Sequence, residues 1–286
     1  MGENMTKSPD PTKSGTIFAS GDVAEQWHRG KAQRGEVTGP ASEMMLNLAD
    51  LRAGDRVLDV AAGTGDQTLM AAKRVGPTGY VLATDISASM LNIAAEAARN
   101  AALTNVETRV MDAENIELDA DSFDAVICRM GLMLFSNPVK SLIEIHRVVK
   151  RTGKVAALVW STEEKNPYRG IPLAIVRRAG KNLTEVPGLR LMFALSKPGV
   201  LEETFRKSGF SDVVIHMLPT RWCFPSTAEA IRALKDSFPG LQHLMGQLSE
   251  TQRELAWTEI EQQLSQFEGP NGFEAPGEVL IGVGAK

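Results

Sequence analysis

Short apolar runs alternate with helix-like stretches between about residue 57 and residue 160. The runs cover residues 57–62, 80–84, 106–110, 125–128 and 155–160. Four of them are almost continuously apolar, which is typical of parallel strands covered by helices on both faces. The run at 106–110 alternates between apolar and polar residues, as expected nearer a sheet edge. Strands that alternate with helices predict an α/β fold with a doubly wound, mostly parallel sheet.

One predicted helix carries signals at both of its ends. Asn137 is a good N-cap residue, and Pro138 suits the first helical position. Apolar residues then recur at helical spacing. Because basic residues favour the last turn and glycine favours the position after it, the pattern places Lys150 and Arg151 in the last turn and Gly153 just beyond.

The regular alternation of apolar runs and helix-like stretches ends after residue 160. Residues 161–210 contain four prolines, a strand pattern follows at 213–218, and a long helical region covers 227–267. The apolar run at 278–284 is typical of a closing strand. Two late strands separated by a helical region predict a single seven-stranded sheet with an inserted helical cap, rather than two domains.

These patterns also predict how the chain is organised. Residues 1–20 are polar and rich in glycine and proline, which indicates a mobile leader. The folded domain is then expected to span residues 21–286. Its ligand-binding core would cover about 50–161, and its helical cap about 162–210 and 220–277.

Composition and charge narrow the classes of partner. The chain has 31 Lys plus Arg against 35 Asp plus Glu, so no cationic excess favours a nucleic-acid partner. Cys128 and Cys223 are far apart and outside metal-ligand spacing, which predicts a reduced, cytoplasmic protein without a metal site. No run of 18 apolar residues occurs, so no stable membrane anchor is expected. A homodimer is left open.

The most informative motif is Val-Leu-Asp-Val-Ala-Ala-Gly-Thr-Gly-Asp at residues 57–66. Small residues end a buried strand and open a helix, so a ligand can approach the backbone. A dinucleotide fingerprint needs a third glycine, where this chain has Thr68. Asp66 would also place a negative charge where a pyrophosphate binds. The turn therefore argues against a dinucleotide, although a strand–helix turn without any ligand is an alternative.

Three acids within and after this motif add to the prediction. Asp85 follows the second strand and is placed to accept hydrogen bonds from both ribose hydroxyls; the alternative is that Asp85 or Ser87 caps the next helix. Asp112 and Ala113 follow the third strand, where a carboxylate and a backbone amide can pair with adenine, unless they form an ordinary surface turn. Asp59 lies within the first strand and either braces the glycine turn or approaches a ligand ammonium through water. Together these features describe a site for an adenosine with a positively charged, phosphate-free tail.

In this order, the motifs resemble a class I S-adenosylmethionine (SAM)-dependent methyltransferase. They are most similar to the small-molecule branch that includes the ubiquinone and menaquinone C-methyltransferases. The similarity spans about residues 54–161: residues 57–66 match the first SAM motif, 122–128 the fourth strand and 148–153 the turn into the fifth. The resemblance implies a Rossmann-like fold, SAM as cofactor and S-adenosylhomocysteine (SAH) as its product.

The resemblance also implies a set of cofactor contacts. Gly63, Thr64 and Gly65 would line the methionine moiety. Asp85 would hold the ribose. Arg129 occupies a position after the fourth strand that contacts the cofactor in the quinone enzymes, although those enzymes carry a smaller polar residue there. The complete set comprises Asp59, Ala61, Gly63, Thr64, Gly65, Asp85, Ile86, Met90, Asp112, Ala113 and Arg129.

Methionine and aromatic residues at the strand ends predict an apolar pocket for the methyl acceptor, with core packing as the alternative. The predicted lining residues are Trp27, Met130, Met133, Phe135, Trp160 and Tyr168. A general base is needed mainly when the acceptor is protonated at working pH. The catalytic residue is left unassigned, with His28, Tyr168 and His243 as candidates.

The expected function is methyl transfer from SAM to an O, C or N atom of a small, moderately apolar metabolite. Quinone methyltransferases lack a segment like 220–277, which would cover the acceptor pocket, so the acceptor is left open. One alternative is an NAD(P)-dependent oxidoreductase, which the glycine turn argues against. The other is a non-catalytic SAM-binding protein.

Overall fold

Eight strands form one sheet in the computed structural model, which describes residues 21–181, 183–184 and 192–286. The strands are β1 (Arg56–Val60), β2 (Tyr80–Asp85), β3 (Val106–Val110), β4 (Phe123–Arg129), β5 (Val149–Trp160), β6 (Ser211–Phe224), β7 (Glu268–Gly269) and β8 (Gly272–Ala285). The predicted leader at residues 1–20 lies outside the described residues.

The strand order confirms the predicted fold class. The sheet runs β3-β2-β1-β4-β5-β8-β6, and the two-residue β7 pairs with β8. Strands β1 to β5 pair in parallel, whereas β8 is antiparallel to both β5 and β6. The chain order reverses between β1 and β4, and in such sheets ligands bind at the carboxyl ends of the strands beside this reversal.

Ten helices lie around the sheet within the described ranges. They are α1 (Gly21–Arg29), α2 (Lys31–Leu48), α3 (Asp66–Val75), α4 (Ala88–Asn100), α5 (Pro138–Val148), α6 (Pro167–Ala179), α7 (Val200–Lys207), α8 (Thr227–Ser237), α9 (Pro239–Met245) and α10 (Glu250–Leu264). Right-handed crossovers place α3 and α4 on one face of the sheet and α5 on the other. Among the residues placed in the structure, no helix combines the length and the apolar character needed to cross a bilayer.

Helices α6 and α8 each contact α9 and α10, and α1 contacts α4 on one side and α8 and α9 on the other. Helix α1 therefore connects the parallel half of the sheet with this group of helices. The strands extend further into the expected cap than predicted, since β6 continues to Phe224 and β8 begins at Gly272. Within the expected 220–277 segment, the helices consequently occupy residues 227–264.

The end of helix α5 differs from the prediction. Asn137 caps it as expected, accepting a hydrogen bond from Lys140 N at 3.0 Å, but the helix ends at Val148. Lys150 and Arg151 already belong to β5, whose first residue pairs with β4. The basic and glycine residues are typical of a helix end, but strand pairing between distant segments decides the outcome here.

Gly65 allows helices α3 and α4 to approach closely. It is the N-cap of α3 and has a φ of 84°. A Cβ atom at this position would lie 2.7 Å from Ala94 Cβ on α4. Gly199 caps α7 with a similar φ of 80°, but a Cβ there would have no atom within 4 Å.

These two glycines form a matched pair for measuring the close approach. We expect Gly199→Ala to lower the free energy of unfolding by about 1–2 kcal/mol, the cost of a left-handed conformation. Gly65→Ala should lower the free energy of unfolding by about 1–3 kcal/mol more, because the added methyl group overlaps Ala94. Urea unfolding followed by circular dichroism measures both. Equal losses would show that α3 and α4 separate without cost.

Candidate functional site

Asp85 joins the ends of two neighbouring strands. Gly63 N, in the turn after β1, donates to Asp85 Oδ2 at 2.9 Å, and Ser87 N donates to Asp85 Oδ1 at 2.9 Å. Burial raises the pKa of Asp85, and the backbone N–H bonds partly oppose this shift. The helix cap is Ser87, whose Oγ accepts from Met90 N. The Asp85 carboxylate is therefore held at the carboxyl edge of the sheet.

Side chains from two helices enclose the glycine turn. Gly63 has a φ of 57°, and a Cβ built on it would lie 3.7 Å from Trp27 Nε1 and 3.8 Å from Met90 Sδ. Trp27 belongs to α1 and Met90 to α4. The turn, the ribose candidate Asp85 and these two side chains thus form one small group.

Asp59 lies beneath this group and is fully buried, with 0% exposure. Its Oδ2 accepts from Thr68 Oγ1 at 2.5 Å, and its Oδ1 accepts from Gln67 Nε2 at 3.0 Å. Gln67 Nε2 also donates to Ala62 O in the glycine turn at 3.3 Å. Of the two interpretations of Asp59, this geometry favours bracing of the turn. Burial raises the pKa of Asp59 to about 7, although the two hydrogen bonds and the Arg129 charge oppose the rise.

Arg129 and Asp66 form an ion pair beside the turn. Arg129 Nη2 donates to Asp66 Oδ2 at 3.1 Å, and Lys31 Nζ lies 3.1 Å from Asp66 Oδ1. Arg129 Nη1 also lies 3.4 Å from the hydroxyls of Thr38 and Ser42 on α2. Although burial raises the pKa of Asp66, the charges of Arg129 and Lys31 lower it below its ordinary value. Asp66 is therefore an ionised carboxylate at the N-terminus of α3, which disfavours a pyrophosphate there.

The predicted adenine contacts lie at the same edge of the sheet. Met111 N donates to Asp85 O at 2.9 Å, which brings the segment after β3 alongside the end of β2. Asp112 Oδ1 accepts from Glu114 N at 2.9 Å, as in the turn that the sequence left as an alternative. Ala113 is buried and Ile86 is half-buried. Asp112 and Ala113 lie in the segment that follows β3, alongside the group around Asp85.

The residues after β4 lie next to the glycine turn. Met130 has a φ of 60° and Ala61 a φ of 55°, so both strand ends carry a non-glycine residue in the left-handed region, as residues at functional sites often do. A Cβ on Gly131 would lie 2.5 Å from Ala61 Cβ and 3.5 Å from Phe135 Cζ. Met133 is buried. The predicted pocket residues Met130, Met133 and Phe135 thus follow the strand that adjoins β1.

Trp160 and Tyr168 belong to a different group of side chains. The Tyr168 ring lies 4.7 Å from the Trp222 ring, and the Trp160 ring lies 6.0 Å from it. Tyr168 Oη donates to Ala230 O at 2.9 Å, and burial raises the pKa of this phenol. The geometry of Tyr168 favours the packing alternative. The other candidate bases, His28 and His243, are exposed.

Sequence reasoning missed two buried arginines. Arg34 on α2 stacks on Trp27, with its guanidinium carbon 3.9 Å from the ring centre. Arg169 lies on the helix side that also carries Leu173 and Val176. Arg169 precedes these apolar residues by four and seven positions, and this helical spacing indicates that the arginine lies on the buried side of the helix. Helix α2 contains glycines and a proline and shows little amphipathic pattern, so Arg34 had no comparable signal.

Comparisons with known proteins confirm the resemblance stated from the sequence. Residues 41–174, slightly less than half of the chain, match the ubiE/COQ5 methyltransferase family. The chain is 38% identical over 117 residues to the ubiquinone/menaquinone biosynthesis C-methyltransferase UbiE of Hydrogenovibrio crunogenus, which covers 41% of this chain and 46% of that protein. It is 40% identical over 121 residues to the UbiE of Cupriavidus taiwanensis, covering 41% of this chain and 49% of that protein. The matched part therefore spans about half the length of these relatives.

A solved structure extends the likeness of the fold. A putative methyltransferase from Bacillus halodurans superposes with a TM-score of 0.59 at 19% identity, covering 85% of this chain and 97% of that one. At this identity the match shows the fold alone. The likeness of the fold thus extends over more of the chain than the family match does.

The raised pKa of Asp59 predicts how stability depends on pH. The folded-state pKa of about 7 lies above the ordinary 3.8, so between about pH 4 and pH 7 the folded protein binds more protons at this site than the unfolded chain. Stability should therefore fall as pH rises through this window, by up to roughly 1.4 kcal/mol per pH unit. Asp59→Asn, which resembles the protonated side chain, should lack this contribution.

Urea unfolding of the wild type and Asp59→Asn between pH 4 and pH 8 measures this contribution. The wild type should lose stability relative to the variant up to about pH 7, and the difference should then stay constant. Asp119→Asn, at an exposed carboxylate, serves as the control: because it keeps Asp59, its stability should follow the pH dependence of the wild type. A constant difference between the wild type and Asp59→Asn at every pH would show that Asp59 is ionised throughout.

Proposed function

With the match of residues 41–174 to the ubiE/COQ5 methyltransferase family as premise, we propose that this chain is a SAM-dependent methyltransferase. Its acceptor is a small, moderately apolar molecule that is methylated on an O, C or N atom. The observation that carries the proposal is the buried Asp85 carboxylate, hydrogen-bonded to Gly63 N in the glycine turn. This acid would accept from a ribose beside a turn of small residues that suits a ligand without phosphates.

The residues at this edge suit an adenosine. Each Asp85 oxygen accepts one backbone N–H, and a carboxylate oxygen has acceptor capacity for a second donor, so the pair can also receive the two ribose hydroxyls. Ile86, Met90 and Ala113 provide apolar surface for the adenine ring, with Asp112 to accept from its exocyclic amine.

The turn suits the methionine end of the cofactor. Ala61, Gly63, Thr64 and Gly65 would line this moiety, although the missing side chain of Gly65 also serves the contact with Ala94. Asp59 would act from below by holding the turn through Gln67. Arg129 would border the cofactor while paired with Asp66. An ionised Asp66 is compatible with a ligand that has a cationic, phosphate-free tail.

When bound, SAM supplies an electrophilic methyl group on a positively charged sulfur. Transfer of this methyl group to the acceptor would leave neutral SAH, and an acceptor that arrives protonated would also have to give up its proton. The protein contributes alignment of the two reactants and exclusion of water. Helix α1 serves this role, because it brings Trp27 over the turn and contacts α8 and α9.

A general base is needed when the acceptor arrives protonated. His28 lies on α1 and His243 on α9, and these two helices contact each other. Both residues are exposed, so they stay candidates, whereas the hydroxyl of Tyr168 already donates to Ala230 O. We further propose that the enzyme acts in the cytoplasm on a free small molecule rather than on nucleic acid.

The cofactor assignment predicts that the purified protein binds both SAM and SAH with micromolar affinity. Calorimetric titration with each compound, followed by NADH and NADPH, tests it. Product formation across a panel of small aromatic and heterocyclic acceptors then separates an enzyme from a non-catalytic SAM-binding protein. Binding of a nicotinamide cofactor in place of SAM, or turnover on tRNA or protein alone, would contradict the proposal.

Loss of the ribose acid should weaken the cofactor complex. We expect Asp85→Ala to reduce the affinity for SAH by about 1–3 kcal/mol, because buried polar groups lose their partner. Asp119→Ala removes an exposed carboxylate beside the first residues of β1, β2 and β4, at the opposite edge of the sheet, and serves as the matched control. Unchanged SAH affinity in Asp85→Ala, with a normal circular dichroism spectrum, would mean that the ribose binds elsewhere.

A further inference from the structure

Arg34 is buried with most of its donors unused. The residue is 7% exposed, and its Nη2 donates to Trp27 O. Its Nε and Nη1 are buried and have no hydrogen-bond partner among the described residues. A buried guanidinium without acceptors is energetically unfavourable, so this arrangement needs a physical reason.

Arg169, on helix α6, is buried in a similar way. It is also 7% exposed, and its guanidinium carbon lies 4.3 Å from the Phe238 ring, 4.7 Å from the Trp222 ring and 5.6 Å from the Tyr168 ring. Within the described ranges, its guanidinium group has aromatic faces as partners but neither a hydrogen bond nor an ion pair. The indole Nε1 of Trp222 is a further buried donor without a described partner.

The two arginines lie against the same corner of the protein. A Cβ on Gly30 would lie 2.5 Å from Arg34 Nη1 and 2.8 Å from Ser237 Cβ, so Arg34 reaches the end of α8. Phe238, the next residue along the chain, contacts Arg169. Burial lowers the pKa of Arg34 to about 9; Asp66 opposes this shift, and the charges of Arg129 and Arg169 add to it.

The nearby Asp66 carboxylate already pairs with other cations. Asp66 pairs with both Lys31 and Arg129, so one carboxylate faces several cations. The planar fork of an arginine matches the oxygens of a carboxylate or a phosphate, and hydrogen bonds to such anions are strong. A bound oxyanion would therefore supply the acceptors that Arg34, Arg169 and Trp222 lack.

We propose that Arg34 and Arg169 bind an oxyanion, a carboxylate or a phosphate, on the methyl acceptor, which is therefore a small aromatic acid rather than a neutral molecule. The position supports this substrate class. Arg34 stacks on Trp27, and Trp27 lies over Gly63 in the turn assigned to the cofactor's methionine end. The rings of Trp222 and Phe238 pack against Arg169 and hold its guanidinium group in place. The inference rests on the proposed methyltransferase function.

Binding of simple probes to the protein saturated with SAH tests the inference. Benzoate, phenyl phosphate and the uncharged benzamide are titrated and followed by calorimetry. At least one of the two anions should bind at least tenfold more tightly than benzamide, and the tighter anion identifies the class of oxyanion. Equal binding of all three compounds, or tighter binding of benzamide, would overturn the inference.

Variants then assign the anion to the two arginines. Arg169→Met and Arg34→Met keep much of the side-chain volume and should each weaken binding of the preferred anion at least tenfold, with the affinity for SAH unchanged. The control is Arg178→Met on the same helix α6, since Arg178 is exposed and pairs with Glu259; it should bind the anion like the wild type. The melting temperature of Arg169→Met should not fall, because the change removes a buried charge that has no acidic partner among the described residues.

Two outcomes separate this inference from the proposed function. If the wild type binds SAH and either Arg34→Met or Arg169→Met loses SAH affinity as strongly as anion affinity, that arginine serves the cofactor's carboxylate and the inference is wrong while the proposed function stands. If the folded wild type binds neither SAM nor SAH, both are overturned.

Discussion

Parallel strands bring the loops that follow them to one edge of the sheet, and those loops carry backbone N–H groups that need acceptors. The Asp85 carboxylate meets this need for two loops at once, through Gly63 N and Ser87 N. The position of the glycine turn relative to α4 depends on this bond, and the turn in turn sets where Trp27 and Met90 can close over it. The architecture thus fixes an acid at the carboxyl edge of the sheet.

The buried charged groups around this edge differ in how well nearby groups stabilise their ionised forms. The pKa of Asp59 is about 7, within the ordinary pH range, because burial raises it and two hydrogen bonds and a cation only partly oppose the rise. Asp66 stays ionised because Lys31 and Arg129 surround it. Arg34 and Arg169 have no comparable partner in the described part of the chain. A core with apolar residues at these two positions would be easier to stabilise, and proteins that break local rules in this way usually do so at functional sites.

Local patterns predicted the parallel half of the sheet well, because strands covered on both faces have continuous apolar runs. The order of Asp59, the glycine turn, Asp85 and Asp112 also follows from sequence, since each comes directly after or within such a run. The end of α5 was wrong because pairing between Val149 and Phe123 depends on contacts across the chain. The burial of Arg34 could not be predicted, because it depends on how α1 and α8 pack around this side chain, which no local sequence period records.

The position of β8 in the sheet has a consequence for how the protein is made. β8 is the last strand along the chain, yet it lies between β5 and β6 and pairs with both. During synthesis, β5 and β6 therefore emerge from the ribosome with unpaired edges, and they cannot be joined until β8 follows. Unpaired edges of apolar strands are sites of aggregation. The parallel strands can assemble early, but β6 can join the sheet only after β8 has been inserted beside β5.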